Sequence, residues 1–206
     1  MAISYPLALP TSIGIANITL SANNAVAISQ SPFTFKQQIV QHAGQRWTAS
    51  VSIPPVRRDL AEPWVSFLLS LNGPVGTFLL GDPNAKVPQG LSSTFLGTPT
   101  ITNQSGNSIT VTGASFNKAN WLVVGDYIQI GTGSSATLHK VLSNVNTDGS
   151  GQAVLDIWPA IRGTRSGSIV VTNTVGLFRL QSNNSSWSIN EASVYGISFD
   201  CVEAIS

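Results

Sequence analysis

Two histidines, nine carboxylates and one cysteine are the groups in this 206-residue chain that could run acid–base or nucleophilic chemistry. A Ser-His-Asp triad would have to use His42 or His139 as its base. His42 reads as part of a hairpin turn, and His139 sits in a strand candidate beside Lys140. No Gly-x-Ser-x-Gly elbow accompanies either one. Both imidazoles are therefore read as exposed or partner-facing groups, and no catalytic residue is assigned. Asp126 and Asp156 lie in neighbouring strand candidates. A glycosidase needs such a carboxylate pair flanking a sugar cleft, and nothing else in the chain supports one.

Metal and cofactor chemistry is equally thin. One cysteine and two distant histidines cannot make a zinc site with usual spacing. Asn146-Thr147-Asp148-Gly149-Ser150-Gly151 has the look of a calcium loop but lacks its acidic density and closing Glu, so a β-turn is expected there. Gly131-Thr132-Gly133 has neither the lysine of a P-loop nor the third glycine of a dinucleotide site. No cofactor is expected. Trp121 and Trp158 remain as a possible glycan-stacking platform, with burial in a core as the alternative reading.

The elements that would position these residues are mostly strands. Residues 12–30 alternate loosely. Phe33–Gln41 and Gln45–Ile53 follow, separated by a His42-Ala43-Gly44 turn, with Trp47, Ala49, Val51 and Ile53 on one face. Pro54-Pro55 ends that pattern and the period changes. Val56, Leu60, Trp64, Phe67, Leu68 and Leu71 fall on one helical stripe, which predicts a helix over about 59–71. Its cap would be Asp59 with Glu62 reaching back, and Asn72-Gly73-Pro74 would stop it. The stripe must lie on a sheet, because no second helix is available to cover it.

Two strings one hundred residues apart nearly repeat: Val75-Gly76-Thr77-Phe78-Leu79-Leu80 and Val175-Gly176-Leu177-Phe178-Arg179-Leu180. Each has a glycine before an aromatic and opens into a polar turn. They are expected to be strands of one sheet with a module inserted between them. Residues 1–83 plus 174–206 then form an outer β domain, and 84–173 a small inserted barrel or sandwich. Five short candidates fill the insert: Ser108–Thr112, Asp126–Ile130, Thr137–Leu142, Ala153–Ile157 and Ser168–Thr172. A last strand alternates Tyr195, Ile197, Phe199 and Cys201 with Gly196, Ser198 and Asp200. The expected class is mainly β: a β-sandwich with one helix, carrying the inserted β module.

Composition bears on function. Only 9% of residues are charged, against roughly 25% in ordinary soluble domains. Monomers use charge to stay soluble and to guard sheet edges, whereas interface centres are depleted in Lys, Glu and Asp. A chain this poor in charge is expected to be covered by copies of itself. The net charge of +1, with scattered cations, argues against a nucleic-acid binder. Cys201 is the single cysteine, which excludes an internal disulfide. Met1-Ala2-Ile3-Ser4-Tyr5-Pro6 has neither a basic nor an apolar leader region, and no apolar run reaches the roughly 18 residues of a membrane span, so no membrane insertion is expected.

Several runs carry a resemblance: Ser31-Pro32-Phe33 to Trp47; Ile53-Pro54-Pro55-Val56-Arg57-Arg58 leading to Trp64-Val65-Ser66-Phe67-Leu68; Gly76 to Pro83; Gly125 to Gly131; Leu138 to Leu142 with Ile157 to Arg162; and Trp187 to Ala204. Together they resemble the distal tail proteins of long-tailed, siphovirus-type bacteriophages, over nearly the whole chain. The resemblance implies a tail-tube-like outer domain, a ring usually of six copies at the end of the tail tube, and a peripheral second β domain. It implies the tube protein on one ring face, tail-tip hub or fibre proteins on the other, and DNA passing through without specific binding. It implies a place in the virion after assembly in the bacterial cytoplasm. The family offers no catalytic residue to carry over. The helix residues Leu60, Trp64, Phe67, Leu68 and Leu71 would brace each wedge of the ring. A tube or tube-terminator protein, or a host-glycan-binding tail module using the insert, are the alternatives. The insert of about 90 residues is smaller than that of the larger members, which weakens the glycan role.

Overall fold

A computed structural model describes residues 3–205; Met1 and Ala2, at the start of the segment read for a leader, and Ser206 lie outside the described residues. The fold is mainly β with one α-helix and two sheets, the second curled into a half-barrel.

The first sheet has strand order β1-β2-β10-β8-β3, with β9 pairing β10 as well. Its strands are β1 (Asn17–Gln30), β2 (Gln37–Arg57), β3 (Phe78–Leu80), β8 (Gly176–Leu180), β9 (Trp187–Ile189) and β10 (Val194–Glu203). The two repeated strings are antiparallel neighbours, with Phe78 opposite Phe178. Their glycines have a packing reason. A Cβ on Gly76 would stand 2.7 Å from the Leu71 carbonyl oxygen, and one on Gly176 would stand 2.9 Å from Leu138 Cβ. Trp47, Ala49, Val51 and Ile53 are all buried, as their alternation predicts.

The helix α1 (Arg58–Ser70) covers that buried face. Ala61, Trp64, Val65, Phe67 and Leu68 point inward, with Leu71 just beyond the last turn. Leu60 does not join them: it is exposed, so the sequence-predicted bracing stripe is displaced by one position at its start. The expected Asp59 cap is also absent. Arg57 is the N-cap residue and makes no side-chain cap bond, while Glu62 pairs instead with Arg58 at 3.0 Å. The helix starts at Arg58 because β2 runs straight into it, which leaves no loop in which a cap could turn. Trp64, Phe67, Phe78, Phe178 and Phe199 form a chain of ring contacts across this core.

Two strand expectations are corrected. His42-Ala43-Gly44 is not a turn. The chain reverses earlier, at Ser31–Lys36, and β2 runs on through His42. Asn24 pairs with Gln45 and Val26 with Gln41, so Ala25 faces three residues in a bulge. Gly44 sits there because a Cβ would come within 3.0 Å of Ala25 Cβ. Likewise Pro54-Pro55 does not end β2. The prolines occupy the register shift between Val56↔Tyr195 and Ile53↔Ile197, where the ladder is already broken.

The second sheet holds β4 (Gly97–Ala114), β5 (Tyr127–Ile130), β6 (Thr137–Val141) and β7 (Ala153–Val170). The five short candidates are thus four strands. Ser108–Thr112 is the second half of β4, and Ala153–Ile157 and most of Ser168–Thr172 are the two ends of β7. β7 pairs β6 near Ile157, β5 near Ile169, and β4 along its length, which curls the sheet. Gly163 and Gly167, between the last two candidates, take positive φ within this one strand, where a glycine permits a bend.

Candidate assembly interface

The residues whose types could do chemistry are tied down by structure. His139 is buried, not exposed as expected: Nδ1 lies 2.6 Å from the Pro159 carbonyl and Nε2 lies 2.9 Å from Thr137 Oγ1. Loss of hydration on burial lowers its pKa to about 4. His42 is exposed on β2. Asp126 is buried and accepts the backbone N–H groups of Gln89 (2.7 Å), Gly90 (3.1 Å) and Val123 (2.9 Å). It clamps the entry to the second sheet. Asp156 is exposed with a long contact to Ser143, so the two carboxylates share no cleft.

Asp148 accepts from Ser150 N, Ser150 Oγ and Gln152 N within its own turn. These bonds, Gln152's foremost, hold its carboxyl below the ordinary range. Among the described residues no cluster of three His, Cys, Asp or Glu side chains is placed to hold a metal. Gly131 belongs to a turn that Thr132 and Ser135 cap reciprocally. The tryptophan platform is overturned. Trp121 is 0% exposed in the second core and donates Nε1 to the Phe95 carbonyl. Trp158 instead packs edge-on against Trp47 at 4.5 Å between ring centroids.

Trp158 marks a polar seam between the sheets that sequence reading missed. Trp47 Nε1 donates to the Leu138 carbonyl, and Trp158 Nε1 to Asn24 Oδ1. Arg162 of β7 forms a fork with both Glu203 oxygens at 2.9 Å and also donates to the Gln45 carbonyl. Glu203, almost fully buried, accepts the Trp47 backbone N–H as well. Gln45 Oε1 takes the Ala160 N–H. Paired, hydrogen-bonded charge of this kind is tolerated in an interior. The seam seats the second sheet against the root of the β1–β2 hairpin.

Beyond that root the hairpin has no third strand. β10 pairs β2 only from Thr48 to Arg57. From Ala25 outward both faces of the ribbon are exposed. At about 3.4 Å per residue, the paired arm from Val26 to Gln30 reaches about 17 Å before its tip. An isolated two-stranded hairpin is marginal in water, and this one carries exposed apolar side chains among its glutamines. Val26, Ile28 and Ile39 share one face, since Ile28 pairs with Ile39. Phe33 is 92% exposed and Phe35 73% exposed in the tip loop. Phe35 also sits at φ +54°, a region that bulky residues avoid. Ser-Pro-Phe-Thr-Phe, a turn starter between two apolar runs, was the sequence signal for this tip.

The face of the first sheet away from α1 is a second unusual surface. Asn17, Thr19, Ser50, Ser52, Ser198 and Asp200 line an open hollow there. Ser50 Oγ donates to Asp200 Oδ1 at 2.5 Å. It is a hydroxyl and amide surface with little charge. No known protein-family profile matches this chain, and no curated protein matches its sequence.

Proposed function

We propose that this chain is a structural subunit that assembles with copies of itself into a ring, at the distal end of a phage tail tube, through which DNA passes. The observation that carries the assembly reading is the β1–β2 ribbon. It presents unpaired strand edges, an apolar face and two exposed phenylalanines, and such a surface in a charge-poor chain calls for a protein partner. The placement in a tail rests on the sequence resemblance. The hydroxyl-lined hollow of the first sheet suits a channel wall, because DNA is retained by clustered Lys and Arg and the lining of this hollow carries the Asp200 carboxylate but neither Lys nor Arg. The buried, bonded state of His139 and Asp126 fits a scaffold better than a catalyst.

Negative-stain images and light scattering of the purified full chain test this. Closed rings with a central hole, stopping at one or two layers, are expected. Long self-stacked cylinders would move the assignment to a tube protein. A monomer at micromolar concentration, with no attachment to tube protein, would overturn the reading.

A further inference from the structure

We propose that the ribbon tip of each copy seats in an apolar groove at the β3 edge of the next copy, in a head-to-tail contact. This rests on the assembly reading above and specifies its two halves. The groove, of about 310 Å³, is walled by Leu9, Ile13, Ile15, Leu79 and Val175, with Trp64 at its floor. It is of a size that takes aromatic side chains. Its wall residues are half-buried and are left uncovered by the described residues.

The occupant is argued from what the chain itself offers. Phe33 and Phe35, backed by Ile28 and Ile39, are its most prominent exposed apolar cluster. The ribbon belongs to β1 and β2 at one edge of the first sheet, while the groove borders β3 at the opposite edge. Donor and acceptor are therefore different surfaces, and the contact is heterologous: it closes into a ring when the rotation between neighbours permits. Charge agrees. Lys36 is the single Lys, Arg, Asp or Glu between residues 25 and 45, and the groove lining offers one carboxylate, Asp82, which also accepts the Asn84 N–H, beside one ammonium, Lys86. A Lys36–Asp82 pair would set the polarity of insertion.

Crosslinking tests the contact in the full chain. Cys201 is buried and its thiol is pushed up to about 12 by desolvation, so it stays silent. Gly14 is exposed on the groove lining, and a Cβ there meets nothing within 4 Å. One preparation carries Thr34→Cys, at an exposed tip position between the two phenylalanines, and another Gly14→Cys. With a short bis-maleimide, the mixture is expected to give a crosslinked pair at least tenfold more abundant than either variant alone gives. A chain carrying both substitutions should give a ladder ending at the ring's copy number. Thr34→Cys crosslinking to itself would overturn the proposal in favour of a two-fold ribbon contact. Rings in the images without mixed crosslinks would overturn the groove while leaving the assembly reading intact. Absence of rings and crosslinks would sink both.

Discussion

Burial holds the His139 imidazole neutral, with a pKa of about 4 against 6.5 in an open chain. The unfolded chain therefore takes up a proton between those values that the folded chain refuses, and stability must fall as pH drops from 6.5 to about 4. At about 1.4 kcal/mol per unit, the effect is on the order of 3 kcal/mol. Thermal unfolding across this window should show that slope, and His139→Gln should flatten it; an unchanged slope would mean that carboxylates alone produce it. Glu203 is the other residue whose removal should be felt. Glu203→Ala strands the Arg162 guanidinium and the Trp47 N–H, and should cost about 3 kcal/mol in denaturant unfolding. Trp121→Ala should cost about 3–5 kcal/mol by opening a cavity in the second core. If it left stability untouched, the core assignment would be wrong.

The β1–β2 ribbon and α1 show how differently two elements can be stabilised. α1 buries a stripe of large side chains on a sheet, and its solvent-exposed N-terminus, entered directly from β2, carries no side-chain cap. The outer ribbon buries almost nothing. Its left-handed Phe35 costs of order 1–3 kcal/mol, an expense that a partner contact would offset. Substitution there should separate folding from assembly. Phe33→Ser is expected to leave the unfolding midpoint of the subunit within a degree or two. The same variant should weaken self-association ten- to a hundredfold, the equivalent of about 1.5–3 kcal/mol for an aromatic side chain lost from a contact. Sedimentation at graded concentration reads both. Gly76→Ala should do the reverse: its Cβ would press on Leu71 and Tyr5 in the core, so the fold suffers first.

For the whole molecule, the scarcity of charge has a measurable consequence. Contacts made by apolar side chains and strand edges are little screened by salt, unlike those made by exposed ion pairs. Only two salt bridges occur among the described residues, one within α1 and one in the seam. Self-association should therefore change little between low and high salt. Duplex DNA should show no saturable binding at physiological ionic strength. A steep loss of assembly with added salt would point instead to charge-driven contacts. Since the second sheet is bolted to the root of the ribbon through Arg162, Gln45 and Trp158, it is also placed to set the angle at which the ribbon leaves the body.

The mainly β character, the single helix, the pairing of the two repeated strings and the buried face of β2 were all readable from the chain, because each follows from local periodicity or from one internal likeness. Period two at Trp47, Ala49, Val51 and Ile53, and period 3.6 from Trp64 to Leu71, are properties of neighbouring residues. The bulge at His42-Ala43-Gly44 and the long bent β7 were not readable, because glycine and small polar residues signal a turn and a bulge alike. Nor could spacing say that Trp121 is interior while Trp158 leans on Trp47, or that Arg162 and Glu203 meet at one seam. Those outcomes depend on contacts between segments that lie from about 26 to 156 residues apart in the chain. Tertiary structure alone decided them, since burial and partnership belong to the packed whole and not to any segment of it.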